Sequence, residues 1–291
     1  MTTGSLLSVH RLLERGASEL SKAGVPGARF EAELLLRHAL GCSREALFAH
    51  LHEPAAAEAV GHYFQLLERR RGRVPIQHIL GTQEFYGLSF RVTPAVLIPR
   101  PETEGVVEEA LAELSTRSSQ APRVADVGCG SGCIAVAIAR HRPEAVVFAI
   151  DASAAALAVA RENAARNGVE SRITFLHGDL FDPLLERGER LDVVVSNPPY
   201  VVDADIEELA PEVKEYEPRL ALAGGADGFS TIARLVEGVG AVLTEGGALV
   251  MEIGQGQDRE VTERVRSARL ELVRIAPDLA GVPRVVVARK L

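Results

Sequence analysis

The spacing of apolar positions changes once along the chain and divides the sequence into two patterns. Residues 1 to about 80 carry apolar side chains at helical spacing, as in the run 32–40. Gly24, Gly41 and Gly72 follow the periodic stretches, where helices commonly end. We therefore expect a compact module of four or five short helices in this part of the chain.

A β-rich segment separates the two patterns. Residues 85–92 are aromatic and β-rich around Gly87, which is typical of a hairpin. Pro99 and Pro101 then exclude a helix until about Glu102. We expect a linker here rather than part of either neighbour.

From about residue 105, short apolar runs alternate with helical patterns, which predicts a mostly parallel sheet with right-handed crossovers. The sequence therefore predicts an α/β fold, with a helical domain at 1–80, a hairpin and linker at 81–104 and a doubly wound domain at 105–291. The expected helices are 105–115, 133–140, 152–167 and 228–243, and the expected strands are 123–127, 146–150, 173–176, 191–195, 248–253, 272–275 and 284–288.

Charge and composition limit the classes of partner. The net charge is -8, and residues 1–95 carry 11 Lys and Arg against 9 Asp and Glu, so the remainder carries -10. A broad duplex DNA footprint needs a basic surface, so we expect no direct role for nucleic acid. The dense basic run 69–73 is typical of a solvated helix end, with partner binding as the alternative.

The remaining bulk features point to the cytoplasm. No apolar run approaches the ~20 residues of a membrane span, and residues 1–16 lack the pattern of a secretory signal. The three cysteines cannot all pair with one another, which is typical of a reducing compartment. We therefore expect a cytoplasmic protein without a membrane partner.

A glycine loop lies between an expected strand and an expected helix. It comprises Asp126, Val127, Gly128, Cys129, Gly130, Ser131 and Gly132. Glycines allow a tight turn and close approach by a ligand, and the following helix start offers free N–H groups. The spacing G-x-G-x-G differs from the G-x-G-x-x-G of nicotinamide dinucleotide sites.

Two further acids follow the next two strands. Asp151 ends the second strand, where a carboxylate can accept hydrogen bonds from a ribose diol. Asp179 stands after the third strand, next to Leu180, where it can reach the base of a nucleoside. Each acid alone is as consistent with a helix cap or a turn, but their combination with the glycine loop predicts a nucleoside site.

The tetrapeptide Asn197-Pro198-Pro199-Tyr200 follows a buried strand. Neither proline has an N–H to continue a sheet, so carbonyl oxygens at this strand end are free to accept other hydrogen bonds. An amide, a carbonyl and a ring together suit a planar –NH2 group, since two acceptors take its two hydrogens. An ordinary strand stop with an asparagine turn is the alternative.

These motifs, in this order, resemble those of class I S-adenosylmethionine-dependent methyltransferases that act on an amide or exocyclic nitrogen. Further segments resemble the bacterial peptide chain release factor glutamine methyltransferase family over nearly the whole chain. They are 30–41 (FEAELLLRHALG), 79–81 (ILG), 96–104 (VLIPRPETE), 217–222 (EPRLAL), 224–228 (GGADG) and 281–286 (GVPRVV).

The resemblance implies a fold, a substrate and a set of site residues. The fold would be a seven-stranded methyltransferase sheet, and the substrate would be the glutamine of the Gly-Gly-Gln motif in class 1 release factors. Catalysis would fall to Asn197, Pro198 and Tyr200, with Pro199, Glu102 and Thr103 beside the substrate. The cofactor S-adenosylmethionine would contact Gly128, Cys129, Gly130, Ser131, Gly132, Asp151, Asp179, Leu180 and Asn197.

Three other functions stay open from the sequence. A sister family methylates a ribosomal protein glutamine, and adenine N6-methyltransferases use the same tetrapeptide on a flipped base. A non-catalytic module that keeps the fold is the third. No metal site is expected, because the histidines are scattered and zinc needs three or four convergent ligands.

Overall fold

The computed structural model describes residues 7–117 and 119–291. The chain forms two compact units, one of Met1–Gly81 with Pro211–Tyr216 and one of Thr82–Ala210 with Glu217–Leu291. An excursion of six residues, 211–216, therefore belongs to the first unit although the second surrounds it in sequence. The three-part division made from the sequence lacks this excursion and stays a proposal.

The predicted helical module is confirmed. Residues 7–81 contain five helices, each of which ends at or near a glycine or a turn. Tyr63 is fully buried at the centre of their apolar core, where its hydroxyl donates to the carbonyls of Leu12 and Ala32 at 3.4 and 3.3 Å. The helices are α1 (Val9–Lys22), α2 (Ala28–Leu40), α3 (Arg44–Ala49), α4 (Ala57–Arg71) and α5 (Ile76–Leu80).

Ion pairs within the first unit hold the excursion. Arg73 donates from Nε and Nη2 to the two carboxylate oxygens of Glu212 at 2.6 and 2.7 Å. Arg70, only 3% exposed, pairs with both Glu212 and Glu31. The basic run is therefore only partly a solvated helix end, because two of its arginines neutralise internal carboxylates.

The second unit begins with the predicted hairpin. Strands β1 (Thr82–Phe85) and β2 (Leu88–Arg91) pair antiparallel across Tyr86 and Gly87. Both turn residues have positive φ, 52° and 69°, as a two-residue type I′ turn requires. The hairpin starts three residues before the apolar pattern predicts, since Thr82 and Gln83 are polar.

Among the described residues, the central sheet has seven strands in the order β5-β4-β3-β6-β7-β9-β8, which confirms the predicted fold class. Strands β3 to β7 are parallel, whereas β9 pairs antiparallel with both of its neighbours. The strands are β3 (Arg123–Val127), β4 (Val146–Asp151), β5 (Ile173–His177), β6 (Leu191–Ser196), β7 (Leu243–Glu252), β8 (Leu270–Pro277) and β9 (Pro283–Lys290).

Helices cover both faces of this sheet, so two apolar cores form. One core joins α6, α7 and α8 to the sheet, and the other joins α9, α11 and α12 to the opposite face. This is the layered packing expected when strands are apolar on both sides. The helices are α6 (Glu104–Ser115), α7 (Cys133–His141), α8 (Ala154–Arg166), α9 (Asp182–Glu186), α10 (Pro211–Lys214, in the first unit), α11 (Ser230–Val239) and α12 (Asp258–Ser267).

Two expectations about the elements were wrong. The helix predicted at 228–243 ends at Val239, and strand β7 already begins at Leu243. Residues 240–242 form a tight turn instead, in which the N–H groups of Ala241 and Val242 donate to the carbonyls three residues earlier, so the regular hydrogen bonds of the helix stop. Helix α12 was not predicted, because it buries only Val261 and Val265 and so has a weak apolar stripe.

Candidate active site

A cavity of about 410 Å³ lies in the second unit, at the carboxyl ends of the parallel strands. The strand order reverses direction between β3 and β6, since β4 and β5 lie on one side and β7 on the other. Open α/β sheets bind their ligands in the crevice at such a reversal. The chain segments that follow β3, β4, β5 and β6 all contribute to the cavity wall.

The glycine loop forms one wall of the cavity. Gly128 and Cys129 both donate their backbone N–H to the carbonyl of Ile150 at 2.9 Å, which fastens the loop to β4. Gly130 has φ +53° with open space beside its Cα, so no side chain stands between its backbone and a ligand. The loop therefore leaves room for close approach by a ligand.

Gly132 has a different role from the glycines that line the cavity. A Cβ at this position would lie 2.9 Å from Cβ of Ala160, and φ is +77°. The absence of a side chain lets α7 pack against α8 directly behind the loop. Gly132 thus acts through packing, and it does not line the cavity.

The two thiols that line the cavity, Cys129 and Cys133, are unreactive. Burial raises the pKa of Cys129 well above its ordinary value and that of Cys133 to about 12. Both thiols therefore stay protonated near neutral pH, and a thiol is a poor nucleophile compared with a thiolate. The cavity walls do not favour covalent catalysis through cysteine.

Asp151 connects the end of β4 to the glycine loop. Its Oδ2 accepts from the Gly130 N–H and its Oδ1 from the Ser153 N–H, both at 2.8 Å. Each carboxylate oxygen keeps a second lone-pair site, and Asp151 lines the cavity. The side chain can therefore organise the loop and still accept two hydrogen bonds from a diol.

Asp126 is completely buried beneath the loop. Its Oδ2 accepts from the Ala135 N–H at 3.0 Å, whereas its Oδ1 has no partner among the described residues. Burial raises the pKa of Asp126 to about 7, with a further rise from Asp151 and a reduction from the Ala135 hydrogen bond. Asp126 does not line the cavity, so it belongs to the support of the loop and not to the wall that faces a ligand.

Asp179 and Leu180, which follow β5, also line the cavity. The carboxylate of Asp179 accepts a hydrogen bond from the Arg234 guanidinium of α11, and both side chains are more than half exposed. Because an exposed ion pair is weak, a ligand can compete for this carboxylate. Leu180 adopts φ +44°, an unusual conformation for leucine.

The tetrapeptide leaves the end of β6 beside the loop. Ser196 is buried and donates from Oγ to the carbonyl of Val127 at 2.7 Å, which links the ends of β6 and β3. Asn197 and Pro199 line the cavity, but Pro198 and Tyr200 do not. The carboxamide of Asn197 is therefore the polar group that the tetrapeptide contributes to the wall.

A buried chain of hydrogen bonds lies behind this carboxamide. Asn197 donates from Nδ2 to Thr103 Oγ1 at 3.0 Å, and Thr103 Oγ1 donates to Glu252 Oε2 at 2.6 Å. Tyr200 completes the chain by donating from its hydroxyl to Glu252 Oε1 at 3.1 Å. Glu252 was not singled out from the sequence, although an acid at the end of a buried strand was a usable signal.

The linker meets another motif through an ion pair. Arg100 Nη2 contacts both carboxylate oxygens of Glu217 at 2.7 Å. Burial raises the pKa of Glu217, while Arg100 opposes that rise. The VLIPRPETE and EPRLAL segments thus form one structure beside the cavity, where Arg100 and Pro218 both line the wall.

The predicted site residues fall into two groups. Ten of them line the cavity: Gly128, Cys129, Gly130, Ser131, Asp151, Asp179, Leu180, Asn197, Pro199 and Thr103. Four do not: Gly132, Pro198, Tyr200 and the exposed Glu102.

A glycine loop, a carboxylate at the next strand tip and an acid beyond it fit a nucleoside that carries an amino acid. The roles of the individual residues remain predictions.

Comparisons with known proteins cover both units. The family model of the PrmC N-terminal domain matches residues 11–81, and that of the methyltransferase small domain matches residues 109–213. Within the described residues, no helix is long and apolar enough to cross a membrane.

Two relatives that match nearly the whole chain carry the same name. The chain is 44% identical to a release factor glutamine methyltransferase of Geobacter sulfurreducens, over 97% of this chain and 96% of that protein. It is 42% identical to the protein of the same name in Moorella thermoacetica, over 97% and 98% of the two chains. A crystal structure of a methyltransferase from Pyrococcus furiosus aligns with a TM-score of 0.51 over 77% of this chain and 98% of that one, and at 16% identity it shows the fold alone.

Proposed function

Because the chain belongs to the release factor glutamine methyltransferase family, we propose that it methylates the glutamine of the Gly-Gly-Gln motif in class 1 peptide chain release factors. The methyl group comes from S-adenosylmethionine and goes to the side-chain amide nitrogen. Near-full coverage of relatives with this name supports the proposal. The observation that carries it is the Asn197 carboxamide in the wall of a nucleoside-sized cavity, beside the glycine loop.

The residues at the carboxyl ends of β3, β4 and β5 would hold the cofactor. The glycine loop and the start of α7 suit its methionine part, Asp151 suits its ribose, and Asp179 with Leu180 suits its adenine. The bound cofactor supplies a methyl on a sulfonium, which is already activated. A strong protein base is therefore unnecessary.

Asn197 and Pro198 would hold the glutamine amide. An amide nitrogen is a weak nucleophile, because its lone pair is delocalised into the carbonyl. The Oδ1 of Asn197 and the carbonyl of Pro198 can accept the two N–H hydrogens, which aims the nitrogen and raises its electron density. Orientation contributes up to ~7–11 kcal/mol in favourable cases, and fixed dipoles contribute about 3–4 kcal/mol more.

The partner and the compartment follow from the same proposal. The protein substrate is a class 1 release factor, and neither nucleic acid nor a membrane takes part directly. The helical unit matches the N-terminal family model, which supports a role for it in docking that substrate. All three cysteines are free, in accord with a reducing cytoplasm.

The experiment that tests this function is a methyl-transfer assay with tritiated S-adenosylmethionine. The wild-type enzyme is offered a release factor, a ribosomal protein and DNA in parallel, and we expect label in the release factor alone. Mass spectrometry of the tryptic peptide should locate the methyl on the glutamine. Label only in the ribosomal protein or the DNA would assign one of the two alternative functions.

A variant pair links the activity to the proposed site. Asn197→Ala should abolish transfer while it leaves cofactor binding largely intact, since it removes the amide acceptor. Asn167→Ala is the matched control, because Asn167 caps α8 and does not line the cavity. Near wild-type turnover by Asn197→Ala would show that the two-acceptor arrangement is wrong.

A further inference from the structure

Glu252 lies behind the proposed reaction centre without touching the cavity. It ends β7, is 1% exposed, and accepts a hydroxyl hydrogen on each carboxylate oxygen. Its two donors come from different parts of the second unit, Thr103 from the linker and Tyr200 from the tetrapeptide. A buried carboxylate that is satisfied in this way has a defined geometry, because neither partner can leave without a large cost.

The electrostatic surroundings of Glu252 are mixed. Burial is the main cause of its raised pKa, and the carboxylate of Glu102 acts in the same direction. The hydrogen bonds from Thr103 and Tyr200 and the charge of Arg284 lower the pKa and favour the ionised form. An ionised carboxylate only accepts hydrogen bonds, whereas a neutral acid or an amide also donates.

The two oxygens of Glu252 each accept a hydroxyl hydrogen, and this arrangement sets the direction of the whole chain of hydrogen bonds. The Thr103 hydroxyl has a single hydrogen, and that hydrogen goes to Glu252. Thr103 Oγ1 can then only accept from Asn197, so the carboxamide presents its Nδ2 to Thr103, as observed. The Oδ1 of Asn197 is left for another donor.

We propose that Glu252 is a positioning residue that, through Thr103, fixes which end of the Asn197 carboxamide is available to the substrate amide. This inference rests on the proposed function, in which Oδ1 of Asn197 accepts a hydrogen from the glutamine –NH2. If the chain of hydrogen bonds ran the other way, Asn197 would present an –NH2 to the –NH2 of the substrate. Two donors facing each other form no hydrogen bond, and the nitrogen would lose its alignment with the methyl group.

Isosteric substitutions can reverse the direction of these hydrogen bonds without leaving a cavity in the structure. In Glu252→Gln, the new amide still accepts from Tyr200 through its oxygen but donates to Thr103 through its nitrogen. The hydrogen of the Thr103 hydroxyl is then released from residue 252 and is free to go to residue 197, which favours the wrong orientation of the asparagine. In Asn197→Asp, one carboxylate oxygen accepts from the Thr103 hydroxyl and the other accepts from the substrate amide. The double variant therefore restores an unbroken series of hydrogen bonds from residue 252 to the substrate.

The experiment compares four enzymes: wild type, Glu252→Gln, Asn197→Asp and the double variant. Single-turnover methyl transfer to a release factor is measured beside the affinity for S-adenosylmethionine by calorimetry. We expect each single substitution to slow transfer about 100-fold, the effect of a misplaced reacting group, with cofactor affinity unchanged. The double variant should be faster than either single variant.

If Glu252 and Asn197 acted independently, the double variant would be slower than either single variant, because two effects of about 100-fold each would multiply to about 10,000-fold. If Glu252 served only the stability of the sheet, folded Glu252→Gln would transfer at the wild-type rate. Either result would overturn the inference. A wild-type enzyme that labels no release factor would instead refute the proposed function, so the two failures are distinguishable.

Thr103 offers a second test if Glu252→Gln does not fold. Thr103→Ser keeps the hydroxyl and should retain transfer, whereas the isosteric Thr103→Val removes it and should lose transfer at unchanged cofactor affinity. Equal activity of these two variants would exclude a hydrogen-bonded link between Glu252 and Asn197. Thermal unfolding of both proteins monitors their folding.

Discussion

Replacing Asp151 by alanine is expected to weaken the binding of S-adenosylmethionine by at least about 100-fold. The carboxylate is 9% exposed and holds Gly130 and Ser153 through two hydrogen bonds of 2.8 Å. Its remaining lone pairs suit the two ribose hydroxyls. Alanine therefore removes both predicted contacts with the ribose and leaves the loop N–H of Gly130 without its partner.

The magnitude follows from the charge of the acceptor. A hydrogen bond to a charged group contributes about 1.5–3 kcal/mol, so two of them contribute at least about 3 kcal/mol. Since about 1.4 kcal/mol corresponds to a tenfold change in affinity, the dissociation constant rises by two orders of magnitude or more. Loss of loop order can only add to this effect.

Isothermal calorimetry with S-adenosylmethionine measures the change directly. Asp182→Ala is the matched control, because it removes an exposed carboxylate that does not line the cavity and should keep wild-type affinity. The stabilisation of the wild type by saturating cofactor should largely disappear in Asp151→Ala, which a thermal shift detects independently. A folded Asp151→Ala protein with unchanged affinity would refute the assignment of the ribose to this residue.

Two further predictions concern pH and stability. Burial raises the pKa of Asp126 to about 7, so the folded protein keeps a proton that the unfolded chain releases near pH 3.8, and the free energy of unfolding falls by roughly 4 kcal/mol as pH rises through this window. Asp126→Asn should flatten this pH dependence when urea unfolding is compared at pH 5 and pH 8. An unchanged pH dependence in the variant would contradict the prediction. Burial raises the pKa of Glu212, but hydrogen bonds from Arg73 and Arg70 outweigh it and lower the pKa to about 2, so its contribution is present above about pH 4.5 and is lost as pH falls towards 2. After a discount for solvent screening, Glu212→Gln should lower the free energy of unfolding by about 2 kcal/mol at pH 7 and by less at pH 3. An equal decrease at both pH values, measured by thermal unfolding, would argue against the ion pair.

Local motifs in the sequence predict one part of the candidate site but not the other. The glycine loop, Asp151, Asp179 and the tetrapeptide beginning at Asn197 each follow a strand that the apolar pattern predicts. Their meeting at one edge follows from the parallel sheet, because the carboxyl ends of parallel strands lie on the same side. Prediction of the sheet was therefore enough to bring these motifs together.

The pairing of the residues behind these motifs had no such signal. Thr103 and Glu252 are 149 positions apart, and Arg100 and Glu217 are 117 apart. Nothing in either local segment indicates its partner. A hydrogen bond depends on a distance of about 3 Å and on direction, and neither quantity can be read from residues so far apart in the chain.

The sequence by itself determined the order of the elements, the two patterns of packing and the motifs that are predicted to contact a cofactor and an amide. These features depend on local periodicity, on the conformations open to glycine and proline, and on the chemistry of single side chains. Only the tertiary structure decided that Glu252 accepts a hydrogen bond from the Thr103 hydroxyl and that the excursion 211–216 joins the helical unit. Periodicity indicates that a face is buried, but not which distant group satisfies a buried charge, because that choice belongs to the packed chain as a whole.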